Sequence, residues 1–166
     1  MTTTDSAETN SATTVQIPVR IDFDELAADF SRALAHLDKA ATKELDKAGI
    51  DAKLRELIRI RASQLNGCAY CIDMHTKDAR AVGETEQRIY ALPAWRETPF
   101  FTARERAALA FTESVTQLAQ THVPDEDFQH LAKEFTDKEI AALVALITMI
   151  NAWNAIGVST RTWPVT

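Results

Sequence analysis

Two cysteines and one histidine lie close together in the sequence at a spacing that could support thiol chemistry. They are Cys68, Cys71 and His75, and the chain contains no other cysteine. If a helix begins near residue 68, these positions follow at i, i+3 and i+7 and share one helix face. The unpaired N–H groups and the dipole of a helix N-terminus favour a thiolate. The spacing therefore predicts a thiol nucleophile at Cys71 with His75 as its proton acceptor.

The second cysteine gives this arrangement the features of a two-cysteine redox cycle. Cys68 is near enough to attack an oxidised Cys71 sulfur and close a disulfide. The residues themselves leave the order of attack open, because the helix dipole favours Cys68 whereas the histidine favours Cys71.

Glu56 is a candidate for the group that orients His75. Because arginines flank it at 55, 59 and 61, it could equally be a solvated helix charge in salt bridges that contribute little. If a helix over 51–65 folds back antiparallel on the helix that carries the cysteines, Glu56 would reach His75. Its carboxylate would then hold the imidazole proton.

Three other interpretations of the cysteine pair remain open. A structural disulfide across so few residues would contribute only about 2 kcal/mol, and a reducing cytoplasm would tend to open it. A disulfide-exchanging adapter protein would use the same thiols without meeting peroxide. A structural zinc site would take Cys68, Cys71 and His75 as ligands and needs a fourth, from His36, His122, His130, Glu56 or water.

Apolar spacing and capping residues predict that helices position these side chains. After an extended segment at 15–21, we expect helices over 23–49 with room for a break, 51–65, 68–83, 85–92, 102–118, 124–133 and 137–158. Pro93 is predicted to end the fourth of them, and 94–100 to be a connector. Thr102 with Glu105 and Thr136 with Glu139 form capping boxes. The expected fold is all-α, with a compact domain of about six to seven helices.

Composition and charge exclude several classes of protein. The chain has 166 residues, 46% of them hydrophobic, which suits one globular domain over 15–166. Only 4 glycines and 5 prolines are present, which disfavours turn-rich β folds, including a thioredoxin fold around the CxxC. The net charge of −6 makes nucleic acid and anionic membranes poor partners.

Segments near the two ends of the chain bear on where in the cell the protein is located and on whether it crosses a membrane. Residues 1–14 are rich in Thr and Ser, which predicts a disordered tail and no secretory signal. A cytoplasmic location follows as an expectation. The stretch 140–159 carries no charge, but Thr148, Asn151 and Asn154 argue against a membrane span. We expect a buried helix or a subunit interface there.

The order Glu56, eleven residues, Cys68-x-x-Cys71, three residues, His75 resembles the signature of AhpD-like alkylhydroperoxidases within the carboxymuconolactone decarboxylase superfamily. The neighbouring stretches 66–71 and 74–80 resemble it too. Tyr70 departs from the pattern, since the best-known member has a histidine between the cysteines. Activity on a muconolactone is not expected, because members with that activity generally lack the cysteine pair.

The resemblance implies an all-helical homo-oligomer, a trimer or hexamer, that reduces hydrogen peroxide or organic hydroperoxides. Cys71 would attack the peroxide, Cys68 would resolve the sulfenic acid, and Glu56 and His75 would relay protons. The redox-active Cys68–Cys71 disulfide would serve without a bound cofactor or metal. An external dithiol, such as a protein-bound lipoyl group, would reduce it.

Overall fold

The computed structural model describes residues 15–165, which fold into nine α-helices and one 3₁₀ helix, with no strand among them. The α-helices are α1 (Phe23–Leu26), α2 (Ala28–Ala48), α3 (Ala52–Asn66), α4 (Ala69–Ala81), α5 (Glu86–Ala91), α6 (Ala103–Thr116), α7 (Leu118–Thr121), α8 (Asp125–Ala132) and α9 (Asp137–Thr160), and the 3₁₀ helix covers Leu92–Glu97. The predicted all-α class is confirmed. The predicted tail at 1–14 lies outside the described residues.

The helix boundaries follow the local sequence signals in most places. The break anticipated in the first helix occurs at Ala27, whose backbone is not helical. Both predicted capping boxes are present, with Thr102 and Thr136 each paired reciprocally with a glutamate at the third helical position. Two of the nine helices, α1 and α7, are single turns of four residues. They account for the excess over the expected six to seven.

Two predictions about helix ends need correction. Helix α5 ends at Ala91, before Pro93, as predicted, but the chain continues as the 3₁₀ helix, with Pro93 in its first turn, where its missing N–H costs nothing. The residues expected to form a connector at 94–100 are therefore partly helical. The helix expected over 102–118 ends at Thr116, because Gln117 leaves the helical region before α7 begins.

Helix α9 lies in the centre of the bundle and packs against α2 and α3. Its buried side chains include Leu143, Leu146 and Ile147, which join Leu54 and Ile58 of α3 in the largest core cluster. By length and composition alone α9 could cross a membrane. Its packing inside the bundle is that of a core helix in a soluble fold, as expected for a helix apolar on most sides.

The N-terminal segment binds the C-terminal end of the chain. The N–H of Arg20 donates to the carbonyl of Thr160 at 2.9 Å, and the Arg20 guanidinium donates to the carbonyls of Val158 and Ser159. The N–H of Phe23 donates to the hydroxyl of Thr162 at 3.2 Å. These bonds fix the chain that leaves α9 against the start of α1.

Candidate active site

A tight turn between α3 and α4 places the cysteines beside α3. Gly67 ends α3 with φ +70°, a left-handed conformation that glycine adopts without steric cost. The N–H of Cys68 then donates back to the carbonyl of Ser63 at 3.0 Å. Because the turn is this short, α4 returns along α3, and side chains from the middle of the two helices meet.

The cysteines form a disulfide at the start of α4. Cys68 is the N-cap residue, and its sulfur accepts the N–H of Cys71 at 3.4 Å. The two residues are joined with a Cα–Cα distance of 5.3 Å, and each is only 2% exposed. Both sulfurs therefore lie in the region of positive potential at a helix N-terminus, which stabilises a thiolate when the bond is reduced.

Glu56 and His75 are brought together across the α3–α4 contact. The Oε2 atom of Glu56 lies 2.9 Å from Nδ1 of His75, and both residues are buried. Arg59, one turn further along α3, pairs with the other carboxylate oxygen. Burial alone would raise the pKa of Glu56, but the hydrogen bond with His75 and the Arg59 charge outweigh it, so this pKa lies below its usual value.

The Glu56 contact also assigns roles to the two imidazole nitrogens. A carboxylate at Nδ1 favours the tautomer with its proton on that atom, which leaves Nε2 to exchange protons. Asp78 is a second acidic neighbour, 3.8 Å from Nδ1 and more than half exposed. The arrangement can thus hold an imidazole in one orientation and stabilise it when it is protonated.

Among residues 15–165, one group of side chains has its ligand atoms close enough together to hold a metal ion. It consists of Glu56, His75 and Asp78, whose atoms lie within 4.8 Å of one another. The histidines considered as fourth zinc ligands, His36, His122 and His130, are all exposed and outside this group. The cysteine sulfurs are bonded to each other.

A cavity of about 420 Å³ opens beside the cysteine pair. Cys71 and His75 both line it, whereas Cys68 does not. Its other lining side chains are Asp38, Arg59, Tyr70, Met74, Asp78, Ile150, Trp153 and Trp163. The Cys68 sulfur instead packs against α9, where a Cβ added to Gly157 would stand only 3.0 Å from it. A small molecule entering the cavity therefore meets Cys71 first.

A cluster of three asparagine amides, of which Asn154 is buried, supports the turn. The side-chain amide of Asn66 donates to the Oδ1 atoms of Asn151 and Asn154, at 2.7 and 2.9 Å. Asn154, which is fully buried, donates to the Ser63 hydroxyl at 3.0 Å. These bonds hold the C-terminal end of α3, and with it Cys68, against α9.

Several residues that line the cavity were not identified from the sequence. Arg59 and Asp78 lie one helical turn from Glu56 and His75, so their spacing could have indicated them. Trp153, on α9, also lines the cavity. Trp163 lies 92 residues beyond Cys71 in sequence, and nothing in its own neighbourhood predicts the contact. Two other aromatic residues, Trp95 and Phe101, are buried in a core cluster and do not line the cavity.

Comparison with known proteins decides the family. Residues 28–114 match the model of the carboxymuconolactone decarboxylase family, and this range contains Glu56, both cysteines and His75. The chain belongs to the carboxymuconolactone decarboxylase family. An uncharacterised relative, YdfG of Bacillus subtilis (strain 168), is 42% identical over 140 residues, which cover 84% of this chain and 92% of YdfG.

Two solved structures share the fold. One is a protein of unknown function from Agrobacterium tumefaciens, described as a candidate antioxidant defence protein of the AhpD type. It is 36% identical with a TM-score of 0.83, over 90% of this chain and 99% of that one. The debrominase Bmp8 superposes with a TM-score of 0.73 at 22% identity, over 86% of this chain and 74% of its own. The chain is thus an AhpD-like member of a family that includes enzymes.

Proposed function

We propose that this protein is a thiol-dependent peroxidase in which Cys71 attacks hydrogen peroxide or an organic hydroperoxide. One observation carries the proposal. Cys71 is the cysteine that lines the cavity, and the same cavity is lined by His75, which Glu56 holds at 2.9 Å. A nucleophile and a proton acceptor thus line a space in which a peroxide can bind, and a carboxylate outside the lining orients the proton acceptor.

The proposed reaction balances over two thiols. The Cys71 thiolate attacks one peroxide oxygen, so that an S–O bond forms as the O–O bond breaks, and the other oxygen leaves as an alcohol or water after taking a proton. The Cys68 thiolate then attacks the sulfur of the Cys71 sulfenic acid and releases water. An external dithiol reduces the resulting disulfide by exchange and is itself oxidised.

His75 and Glu56 would supply the proton movements. In the disulfide form, His75 makes no hydrogen bond to either sulfur within the described part of the chain. The proton would therefore cross the cavity through one water molecule, a common route for a general base. The Glu56 carboxylate stabilises the imidazolium that forms when His75 takes the thiol proton.

Subunit association is a second part of the proposal. Large apolar side chains are exposed along the N-terminal segment and the outer side of α1 and α2, among them Val15, Ile17, Leu26, Phe30 and Leu37. Exposed apolar residues grouped in this way mark interaction surfaces. We expect a homo-oligomer, which light scattering coupled to size-exclusion chromatography would report as a multiple of the 18.4 kDa chain mass.

Peroxide consumption in the presence of dihydrolipoamide tests the reaction. The wild-type chain should consume cumene hydroperoxide and form one disulfide per chain, and Cys71→Ser should lose this turnover. Retained turnover in Cys71→Ser would show that the nucleophile is misassigned. Disulfide exchange with dihydrolipoamide and no peroxide consumption would favour the adapter protein.

Metal analysis of the reduced protein separates the zinc hypothesis from the redox reaction. We expect both thiols to react with a thiol reagent and zinc to be substoichiometric. Stoichiometric zinc that blocks labelling of Cys68 and Cys71 would contradict the peroxidase proposal. The cytoplasmic location expected from the sequence fits a reaction that needs a reducing compartment.

A further inference from the structure

Trp163 forms part of the cavity wall, although it lies in the irregular segment that follows α9. Its ring centroid is 5.5 Å from that of Tyr70 and 5.7 Å from that of Trp153. Since all three side chains line the cavity with Cys71, they form a continuous aromatic wall beside the reactive sulfur.

The Trp163 side chain is held in place by the N-terminal part of the chain. Its indole Nε1 donates to Oδ2 of Asp24 at 2.7 Å. The hydroxyl of the neighbouring Thr162 accepts a hydrogen bond from the N–H of Phe23. Two adjacent side chains, those of Thr162 and Trp163, therefore hold the segment in place. A large aromatic ring is thereby positioned without support from a helix of its own.

Two of the three wall residues, unlike Tyr70, lie outside the part of the chain that contains the reactive groups. Glu56, both cysteines and His75 lie within the range 28–114 that matches the family model, whereas Asp24, Trp153 and Trp163 lie outside it. The size of the cavity points in the same direction. At about 420 Å³ it is within the range of sites for whole organic ligands, and a molecule as small as hydrogen peroxide would leave most of it empty.

We propose that Trp163, positioned by Asp24, is a specificity-determining residue that selects peroxides with an aromatic body, such as arylalkyl hydroperoxides. This inference rests on the proposed peroxidase function for its substrate and on the geometry of the wall for its selectivity. Aromatic rings gain from offset and edge contacts beyond simple burial. Hydrogen peroxide has no such surface to offer.

The kinetic test compares two peroxides in each variant of the full chain. We expect Trp163→Ala to lower the ratio of kcat/KM for cumene hydroperoxide to that for hydrogen peroxide by about tenfold, mainly through a higher KM. Trp163→Phe, which keeps a ring, should retain most of the ratio. Val165→Ala alters the same segment at an exposed residue outside the cavity lining and should leave the ratio unchanged.

Asp24 is a positioning residue, and its conservative variant tests that role. Asp24→Ala removes the acceptor for the Trp163 indole and should lower the same ratio. Asp24→Asn keeps a carbonyl oxygen that can accept the bond and should restore the ratio. Equal loss in Asp24→Ala and Asp24→Asn would overturn the positioning role.

A binding measurement separates failure of this inference from failure of the peroxidase proposal. Calorimetric titration of the disulfide form with 2-phenyl-2-propanol, the alcohol left by cumene hydroperoxide, needs no turnover. We expect binding that weakens by about tenfold in Trp163→Ala. Equal affinity in the wild type and Trp163→Ala, or no binding to the wild type, would overturn the inference. Trp163-dependent binding in a protein that consumes no peroxide would refute the peroxidase function alone.

Discussion

Replacing Glu56 with glutamine isolates the contribution of one negative charge to cysteine reactivity. Glutamine has nearly the same shape, and its carbonyl oxygen can still accept a hydrogen bond from the His75 Nδ1–H group, so the ring orientation is largely kept. The variant removes the charge that stabilises the imidazolium. It also leaves the neighbouring Arg59, whose side chain is 17% exposed, without its anionic partner, which disfavours a second positive charge at His75.

The size of the effect follows from the contact at 2.9 Å between Glu56 and His75. A hydrogen bond to a charged group contributes about 1.5–3 kcal/mol, and 1.36 kcal/mol corresponds to about a factor of ten. Proton transfer from Cys71 to His75 should therefore become on the order of 10- to 100-fold less favourable. Formation of the reactive thiolate falls by the same factor at neutral pH.

The rate of alkylation by iodoacetamide at pH 7 measures this directly. In a Cys68→Ser background the reduced protein has a single thiol, so the rate reports Cys71 alone. We expect Glu56→Gln to slow the reaction by at least about tenfold. Far-UV circular dichroism of each variant checks that the helical bundle is intact.

A matched control uses a second, partly buried glutamate. Glu113 also pairs with an arginine of α3, Arg61, at 2.7 Å, but its hydrogen bonds go to Arg61, Trp95 and Arg96 and not to His75. In the Glu113→Gln variant, Cys71 should therefore be alkylated at the same rate as in the Cys68→Ser background. An alkylation rate for Glu56→Gln within about twofold of the background would refute the relay and make Glu56 a purely structural charge.

Three predictions concern stability. Gly157→Ala should destabilise the oxidised protein by about 1–3 kcal/mol in thermal unfolding, because the new Cβ would meet the Cys68 sulfur at 3.0 Å; a stabilised variant would contradict that packing. Asn154→Ala should cost about 2–4 kcal/mol in urea unfolding, and a loss below 1 kcal/mol would contradict the amide cluster. For Glu113, burial raises the pKa, but hydrogen bonds from Trp95 and the arginines lower it below the ordinary value of 4.5. The stability advantage of the wild type over Glu113→Gln should thus be full above pH 4.5 and shrink as the pH falls further; a gap that widens in acid would contradict it.

Local signals predicted much of the fold and the chemically reactive part of the site. The capping boxes at Thr102 and Thr136 set helix starts within one residue, because the cap is a contact between residues three apart. The side chains of Cys68, Cys71 and His75 share a helix face because their spacing of i, i+3 and i+7 is also a local property of the sequence. The fold-back that brings Glu56 to His75 could be framed as a hypothesis, since a two-residue turn at Gly67 leaves little choice of direction.

The place of Trp163 in the cavity wall could not be predicted, because it depends on contacts between distant parts of the chain. Trp163 reaches Tyr70 only after α9 has crossed the bundle and the N-terminal segment has bound its end through Arg20. Gly157 likewise appears as one glycine in an apolar helix, and only the structure shows the Cys68 sulfur against it. The 3₁₀ helix over Leu92–Glu97 and the break at Gln117 were also missed, since such short turns need few distinctive residues.

Trapping of the sulfenic acid with dimedone tests the central claim most directly. The Cys68→Ser variant, reduced and then treated with one equivalent of cumene hydroperoxide, should carry one dimedone adduct on Cys71 by intact mass and peptide mapping. The Cys71→Ser variant should carry none under the same conditions. An adduct on Cys68 in Cys71→Ser with none on Cys71 in Cys68→Ser would contradict the assignment of Cys71 as the residue that attacks the peroxide.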